Sequence, residues 1–186
     1  MSLFRSLQNS PATISIFHNA RVPASARLFA FLEKAYYQLN DDKNLFQLDM
    51  NAKQMPTYDQ FKSIYTNCVR GDRCKTVLKE CFPLLNDKFI KSDQGSVTVK
   101  SLGISHDRGF KIFSQNEYDH IHETFDNLIN QENPEIDPNE LFQPPLLIDW
   151  DQNLIANDMD GLELILAKYK EAAKENAHDW FIARKQ

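Results

Sequence analysis

Thiol chemistry is the first activity that this sequence could support. It contains three cysteines, Cys68, Cys74 and Cys81, and it has no C-x-x-C motif. If Cys74 and Cys81 share a helix, their Cα atoms lie about 10.5 Å apart, which is too far for a disulfide. Cys68 and Cys74 flank Gly71 and are the one pair that could approach. Each cysteine also falls on an apolar stripe, which is typical of a buried, unreactive thiol.

Cys68 is the candidate redox residue among the three. Arg70 and Arg73 follow it closely, and a nearby guanidinium stabilises a thiolate, which would bring the thiol pKa below its usual value of about 8.5. Cys68 also falls on the predicted apolar helix face that begins at Phe61. If that face is buried, loss of hydration should instead raise the pKa. The sequence leaves both outcomes open.

The histidines and carboxylates do not form a recognisable metal or acid–base site. His120 and His122 diverge by about 200° on a helix, so they cannot hold one metal ion from one face. His18 ends a predicted strand and is a candidate polar residue at the edge of a site. Asp149 lies near the end of a predicted strand and Asp151 begins the predicted turn 151–153, so turn and surface roles are expected for them.

Composition restricts the class of protein. The chain has 186 residues, 42% of them hydrophobic and 25% charged, and a net charge of −5. These values predict one compact domain and exclude a mainly disordered chain. No apolar run approaches the roughly 20 residues that a membrane span requires, and net acidity disfavours a nucleic-acid partner. Five scattered glycines give no phosphate-binding loop, and no motif has the spacing of metal ligands, so we expect no cofactor and no metal.

Hydrophobic periodicity predicts an alternating order of strands and helices. Short helical connections early in the chain imply parallel strands, and the last two strands form an antiparallel hairpin. Thr57 with Gln60, and Ser114 with Glu117, have the spacing of capping boxes that begin helices. The predicted strands are 13–19, 45–50, 146–150 and 154–156, and the first is expected in the interior of the sheet because it is continuously apolar.

Two of the predicted helices are defined by apolar stripes. One begins near Pro23 and carries its stripe on Leu28, Leu32, Ala35 and Leu39. Another runs from about Arg73 to Leu85. Residues 86–113 show no clear pattern.

Three short segments, in this order, resemble arsenate-reductase-type relatives of thioredoxin. Residues 14–19 (ISIFHN) are similar to their first strand, and residues 56–60 (PTYDQ) resemble the start of one of their helices. Residues 145–149 (PLLID) are similar to a strand that follows a commonly cis proline beside the active site. The resemblance therefore implies a cis Pro144–Pro145 bond.

A closer resemblance is to a fungal family of mitochondrial redox proteins with a thioredoxin-like fold. The shared features are the initial MSLFRSLQ, the PTYDQ segment, and IDW at 148–150 followed by Asn153 and Leu154. The resemblance implies an α/β, thioredoxin-like domain with a four-stranded mixed sheet flanked by helices and an inserted excursion before the last hairpin. The expected domain covers residues 13–186, with insertions at about 86–113 and 131–143.

The departures from these families concern the reactive residues. Val22 stands where the reductases have their nucleophilic cysteine, and Pro144 replaces an oxyanion-binding arginine. The fungal proteins are thought to use a cysteine on a helix before the final hairpin, but this chain has none after Cys81. They do have a cysteine at the place of Cys68. By resemblance, Cys68 is therefore the candidate catalytic residue, with Pro145, His18 and Arg70 as candidate binding residues.

Two functions follow from these observations. The resemblance implies a thiol-based oxidoreductase of mitochondria that acts in the oxidative stress response, with a protein or a small thiol or disulfide as partner. The alternative is a non-catalytic binding module that keeps the fold and offers a groove at Pro145 to an extended peptide. Residues 1–12 are either a short mitochondrial targeting segment, with Arg5 and no acidic residue, or a plain N-terminal arm.

Overall fold

The computed structural model describes residues 11–40, 44–86, 89–92, 95–98 and 112–183. The strands are β1 (Ala12–His18), β2 (Phe46–Ala52), β3 (Phe89–Ser92), β4 (Gly95–Thr98), β5 (Leu146–Asp149) and β6 (Leu154–Ala156). The α-helices are α1 (Pro23–Asn40), α2 (Tyr58–Ser63), α3 (Gly71–Cys81), α4 (Gln115–Leu128) and α5 (Met159–Ala183). A π-helix (Ile64–Cys68) continues α2, and 3₁₀ turns occupy Pro83–Asn86 and Pro138–Glu140.

A four-stranded mixed sheet with the order β2-β1-β5-β6 organises the fold. β1 is parallel to β2 and antiparallel to β5, and β5 is antiparallel to β6. The predicted α/β architecture, the mixed sheet flanked by helices and the interior position of β1 are therefore confirmed. Strands β3 and β4 form a separate antiparallel hairpin within the stretch where the sequence indicated an excursion.

Local sequence signals account for the beginnings of two helices. Thr57 and Gln60 exchange side chain–backbone hydrogen bonds at the start of α2, and Ser114 and Glu117 do the same at α4. Both predicted capping boxes are confirmed, because each pair satisfies backbone N–H groups that a helix leaves unpaired.

One side of the sheet, which we name the closed face, is packed with aromatic rings from α2, α4 and the connecting segments. Phe61 lies 4.7 Å from Tyr118 and 5.1 Å from Phe82, measured between ring centroids. Phe82 in turn lies 5.2 Å from Phe142. All four side chains are fully buried, so the centre of this face is closed to solvent.

The other side of the sheet, which we name the open face, is covered by two helices, α1 and α5. Leu28 and Leu32 of α1 and Leu162 of α5 are buried against Ile14 and Ile16 of β1. The apolar stripe predicted for α1 is thus the surface that holds it on the sheet.

Three sequence expectations need correction. Helix α3 ends at Cys81 instead of continuing to about Leu85, because Pro83 has no N–H to extend the ladder of hydrogen bonds. Asp149 is not at the surface: it is fully buried, although it does organise the predicted turn by accepting hydrogen bonds from the N–H groups of Asp151 and Gln152. The stretch Ile64–Cys68, predicted as regular helix, is π-helical.

Two further expectations concern segments that lie outside the described residues. The targeting segment or arm predicted at residues 1–12 lies almost entirely outside the described residues, as does most of the 86–113 insertion. Among the residues that are described, no helix combines the length and apolar character needed to cross a bilayer.

Candidate functional site

The sheet register brings three chain segments to one edge. Phe17 pairs with Leu146, and Leu147 pairs with Ala156, so the end of β1, the start of β5 and the end of β6 meet there. His18 and Pro145, two of the predicted site residues, therefore lie at the same edge of the sheet. Helices α1 and α5 both begin just beyond this edge, after β1 and β6 respectively.

A tight turn carries the chain from β1 into α1. Val22 N–H donates to the carbonyl of Asn19 at 3.0 Å, and Asn19 N–H donates to the buried hydroxyl of Ser25 at 3.0 Å. The Asn19 side chain accepts from Arg21 N–H. Val22, at the position of the reductases' cysteine, is half-buried in this turn and offers only an aliphatic side chain.

His18 is held in place from two sides. Its ring stacks on Phe29 of α1 with a centroid separation of 4.3 Å, and its carbonyl accepts a hydrogen bond from Lys53 N–H. Burial lowers the pKa of the imidazole from 6.5, so the neutral form is favoured at neutral pH. The Nδ1 atom is buried and has no hydrogen-bond partner among the described residues.

Pro145 is enclosed, which differs from the exposed groove expected there. The Pro144–Pro145 peptide bond is cis, as predicted. Both prolines are buried, and the carbonyl of Pro145 accepts a 3.5 Å hydrogen bond from the Cys81 thiol. Gln143 N–H donates to the carbonyl of Cys81 at 2.9 Å. The chain before β5 is thus tied to the end of α3.

An open groove lies near this edge, on the open face. Its volume is about 520 Å³, and it runs between α1 and the residues that follow β6. Phe31 and Met159 border it with more than a third of their surface exposed, which is unusual for large apolar side chains. Its lining consists of Ala24, Arg27, Leu28, Phe31, Asn157, Asp158 and Met159.

A second, smaller hollow of about 150 Å³ continues the groove along α1. Phe31 lines both hollows, so they adjoin at its ring. The other lining residues are Lys34, Ala35, Gln38 and Leu39 from α1 and Lys170 from α5. From Ala24 to Leu39 the two hollows follow about 22 Å of helix, at 1.5 Å per residue.

Cys68 lies on the closed face of the sheet. It ends the π-helix, is 1% exposed and belongs to the aromatic core. Burial raises the pKa of its thiol to about 11, and the charge of Arg70 only partly opposes this effect. Arg70 itself is exposed. Of the two outcomes that the sequence left open for Cys68, the structure supports the raised pKa, because the effect of burial exceeds that of the Arg70 charge.

The other two cysteines differ in exposure. Cys81 is buried, and burial strongly raises the pKa of its thiol. Cys74 is partly exposed on α3, the helix it shares with Cys81. All three thiols are free in the structure. The residues predicted from sequence therefore divide between two places: His18 and Pro145 at the sheet edge, and Cys68 with Arg70 at the closed face.

Metal binding finds no support in the described part of the chain, where no cluster of three or more His, Cys, Asp or Glu side chains could hold an ion. His120 and His122 lie on helix α4, and His122 Nδ1 is 3.1 Å from a carboxylate oxygen of Asp126. That contact is an ordinary pairing along one helix face.

The residues that line the groove were not predicted from the sequence. Phe31 is the residue whose position in the sequence could have indicated the groove. It lies on α1 outside the stripe of Leu28, Leu32, Ala35 and Leu39, so packing on the sheet does not account for it. The residues after β6 carried no such signal, because their proximity to α1 depends on the order of the strands.

Comparison with known proteins gives one match. The model of a family described as "Protein of unknown function (DUF1687)" matches residues 4–158, and the chain belongs to that family. No curated protein matches the chain. No solved structure matches it either. The resemblance to fungal mitochondrial redox proteins stays a prediction.

Proposed function

We propose that this DUF1687 protein is a thioredoxin-like domain that acts as a non-catalytic binding module. The observation that carries the proposal is the open groove of about 520 Å³ between α1 and the residues after β6, bordered by exposed Phe31 and Met159. A groove of this size, with a mainly apolar lining and a few polar groups, has the character of a binding site. Its occupant would be a segment of a partner protein.

Strand order supports the thioredoxin-like part of the proposal. A parallel unit of β1, α1 and β2 is followed by a hairpin of β5 and β6 and by the closing helix α5. Helices α1 and α5 share one face of the sheet, while α2, α3 and α4 pack on the other. This is the arrangement that the resemblance in the three sequence segments implies.

The condition of the thiols supports a role without redox chemistry. A reactive cysteine needs an accessible sulfur and a lowered pKa, because the thiolate is the nucleophile. Cys68 and Cys81 are buried with raised pKa values, and the start of α1 has Val22 instead of a cysteine. The groove itself is lined by no cysteine.

Peptide selection tests the binding function. A random peptide library displayed on phage would be selected on the wild-type protein, and the selected peptides would then be measured on two variants. Phe31→Ala removes the ring common to both hollows and should weaken binding about tenfold or more. Tyr37→Ala is the matched control, because Tyr37 is on the same helix, is 67% exposed and does not line the groove. Peptides that bind both variants equally well, or no selected peptides at all, would refute the proposal.

A thiol-based oxidoreductase is the second candidate function. The observations in its favour are Arg70, whose charge lowers the pKa of Cys68 against the effect of burial, and the partly exposed Cys74 beyond the Gly71 turn. Iodoacetamide labelling of the native protein at neutral pH decides between the candidates. Fast labelling that is lost only in Cys68→Ser would favour the oxidoreductase. Labelling confined to Cys74, with Cys68 and Cys81 released by denaturant, would favour the binding module.

A mitochondrial location belongs to the oxidoreductase proposal and rests on the composition of residues 1–12. Import into isolated mitochondria tests it. The full chain should be imported, and a chain in which Arg5 is replaced by Glu should be imported less efficiently, because targeting segments are basic and poor in acids. Equal import of the two chains would remove this support.

A further inference from the structure

We infer that the partner segment bound in the groove is an acidic amphipathic helix. The inference rests on the proposed function and adds the chemistry of the occupant. It starts from the two adjoining hollows along α1, which provide an apolar floor at Leu28, Phe31 and Leu39. That floor is about 22 Å or less in length, the span of roughly four helical turns.

Apart from Asp158, the charged residues that line the two hollows are all basic. Arg27 lines the larger hollow, and Lys34 and Lys170 line the smaller one. Within the described ranges, none of these three cations forms an ion pair. The protein as a whole has a net charge of −5, so this row of cations is a local exception to its overall charge.

The one carboxylate in the lining is already paired. Asp158 Oδ1 lies 3.1 Å from the Arg73 guanidinium and also accepts a hydrogen bond from Gly161 N–H at 2.7 Å. Asp158 is therefore engaged by Arg73 of α3 and by the first turn of α5, whereas Arg27 has no ion-pair partner among the described residues. The groove thus presents a positive potential above an apolar floor, which attracts acidic segments and repels basic ones.

The spacing of the cations fits a helical occupant. Arg27 and Lys34 are seven residues apart, so they lie on the same side of α1 and about 10.5 Å apart along its axis. A partner helix that packs alongside α1 presents its own residues i and i+7 at the same interval. Acidic residues at those two positions could face both cations while apolar residues at i+3 and i+4 contact the floor.

Fluorescence anisotropy with two synthetic peptides tests the inference on the full chain. The acidic probe has about 16 residues, with glutamate at positions i and i+7 and leucine at i+3 and i+4, and this pattern continues along the helix. The basic probe has the same leucines and carries lysine in place of each glutamate. We expect the acidic probe to bind at least tenfold more tightly than the basic one, and we expect added salt to weaken its binding.

Charge reversal in the groove supplies the matched variants. The double variant Arg27→Glu with Lys34→Glu should weaken binding of the acidic probe about tenfold or more and strengthen binding of the basic probe. Lys62→Glu is the control, because Lys62 is exposed on α2 outside the groove, and it should leave both affinities within about twofold.

The outcomes separate this inference from the proposed function. If the two probes bind equally well and Phe31→Ala weakens both, the groove binds peptides and the inferred charge preference is wrong. If neither probe binds, and peptides selected on the wild type are not acidic, the inference also fails. If the chain instead sediments with vesicles of anionic phospholipid and binds neither probe, the cations serve a membrane surface and not a protein helix.

Discussion

The two faces of the sheet distribute chemistry and accessibility in opposite ways. The closed face holds Cys68 and Cys81, and its interlocked aromatic rings keep both thiols from solvent. The open face has no buried cysteine in its core, but it leaves a groove between its two helices. The two buried thiols therefore lie where solvent does not reach, and the accessible groove is lined by no cysteine. This separation favours binding over thiol catalysis.

The faces also differ in how their helices are held. On the closed face, contacts among aromatic rings continue from one element to the next. On the open face, the leucines of α1 and α5 share one side of the sheet, and a polar network fixes α5 at the edge opposite the groove. In that network the buried Asp149 carboxylate accepts hydrogen bonds from Tyr169 and Gln152 at 2.6 Å each.

The largest expected effect is loss of a ring from the closed face. Phe82→Ala should lower the free energy of unfolding by about 3–5 kcal/mol, because it leaves a cavity among rings that cannot collapse into it. Phe31→Ala, at the border of the groove, should cost about 1 kcal/mol or less, because solvent already reaches its ring. Urea unfolding followed by circular dichroism measures both. Similar costs at the two positions would contradict the distinction between the faces.

Gly161 lies where α5 of the open face approaches Arg73 of α3, and its substitution tests how closely the two helices pack. A Cβ atom at Gly161 would lie 2.5 Å from Ala156 Cβ and 3.2 Å from Arg73 Nη2. Gly161→Ala should therefore cost about 2–3 kcal/mol, because the crowded atoms belong to β6 and to the Asp158–Arg73 pair.

Gly71→Ala is the comparison for that variant. Gly71 has a positive φ of 81° but open space around it, so only the backbone conformation opposes a side chain. We expect a cost of about 1 kcal/mol. If Gly71→Ala proves the more damaging of the two in the same urea titration, close packing at Gly161 is not a constraint on the fold.

Substitution of Tyr169 tests how α5 is attached to β5 of the sheet. Tyr169→Phe removes a hydroxyl that donates to the buried Asp149 carboxylate, and hydrogen bonds to charged groups contribute about 1.5–3 kcal/mol. We expect a loss of about 1.5–2 kcal/mol, because Gln152 still donates to the same carboxylate oxygen. Tyr37→Phe, at an exposed site on α1, should change stability by less than about 0.5 kcal/mol. Equal effects would mean that this network does not hold α5.

The smallest effect concerns alkaline pH. Folding raises the pKa of Cys68 from 9.0 to about 11, so the unfolded thiol loses its proton first as pH rises. The contribution of the protonated Cys68 thiol to the free energy of unfolding is fully present below pH 9 and is lost progressively up to about pH 11. Between pH 8.5 and 10, Cys68→Ala should therefore lose less stability than the wild type does, and Cys74→Ala should follow the wild type. If the free energy of unfolding changes with pH in the same way for all three proteins, burial on the closed face does not raise the pKa of Cys68.

Local sequence signals predicted much of the scaffold. The two capping boxes, the proline at the first turn of α1 and the continuously apolar β1 depend on residues within a few positions of one another, so they can be recognised without knowledge of the fold. The cis bond at Pro144–Pro145 was predicted from resemblance alone. The end of α3 was misplaced, although the breaking residue, Pro83, is visible in the sequence.

Tertiary structure decided which of these predicted surfaces are covered. Periodicity indicates that Cys68 belongs to an apolar stripe, but its burial depends on rings contributed by distant segments such as Phe113 and Phe142. The groove likewise requires α1 to meet residues about 130 positions later in the chain, which only the order β2-β1-β5-β6 brings together. The sequence alone thus determined which residues are apolar, reactive or helix-capping. Access to them depends on contacts between segments far apart in the chain, which local patterns do not encode.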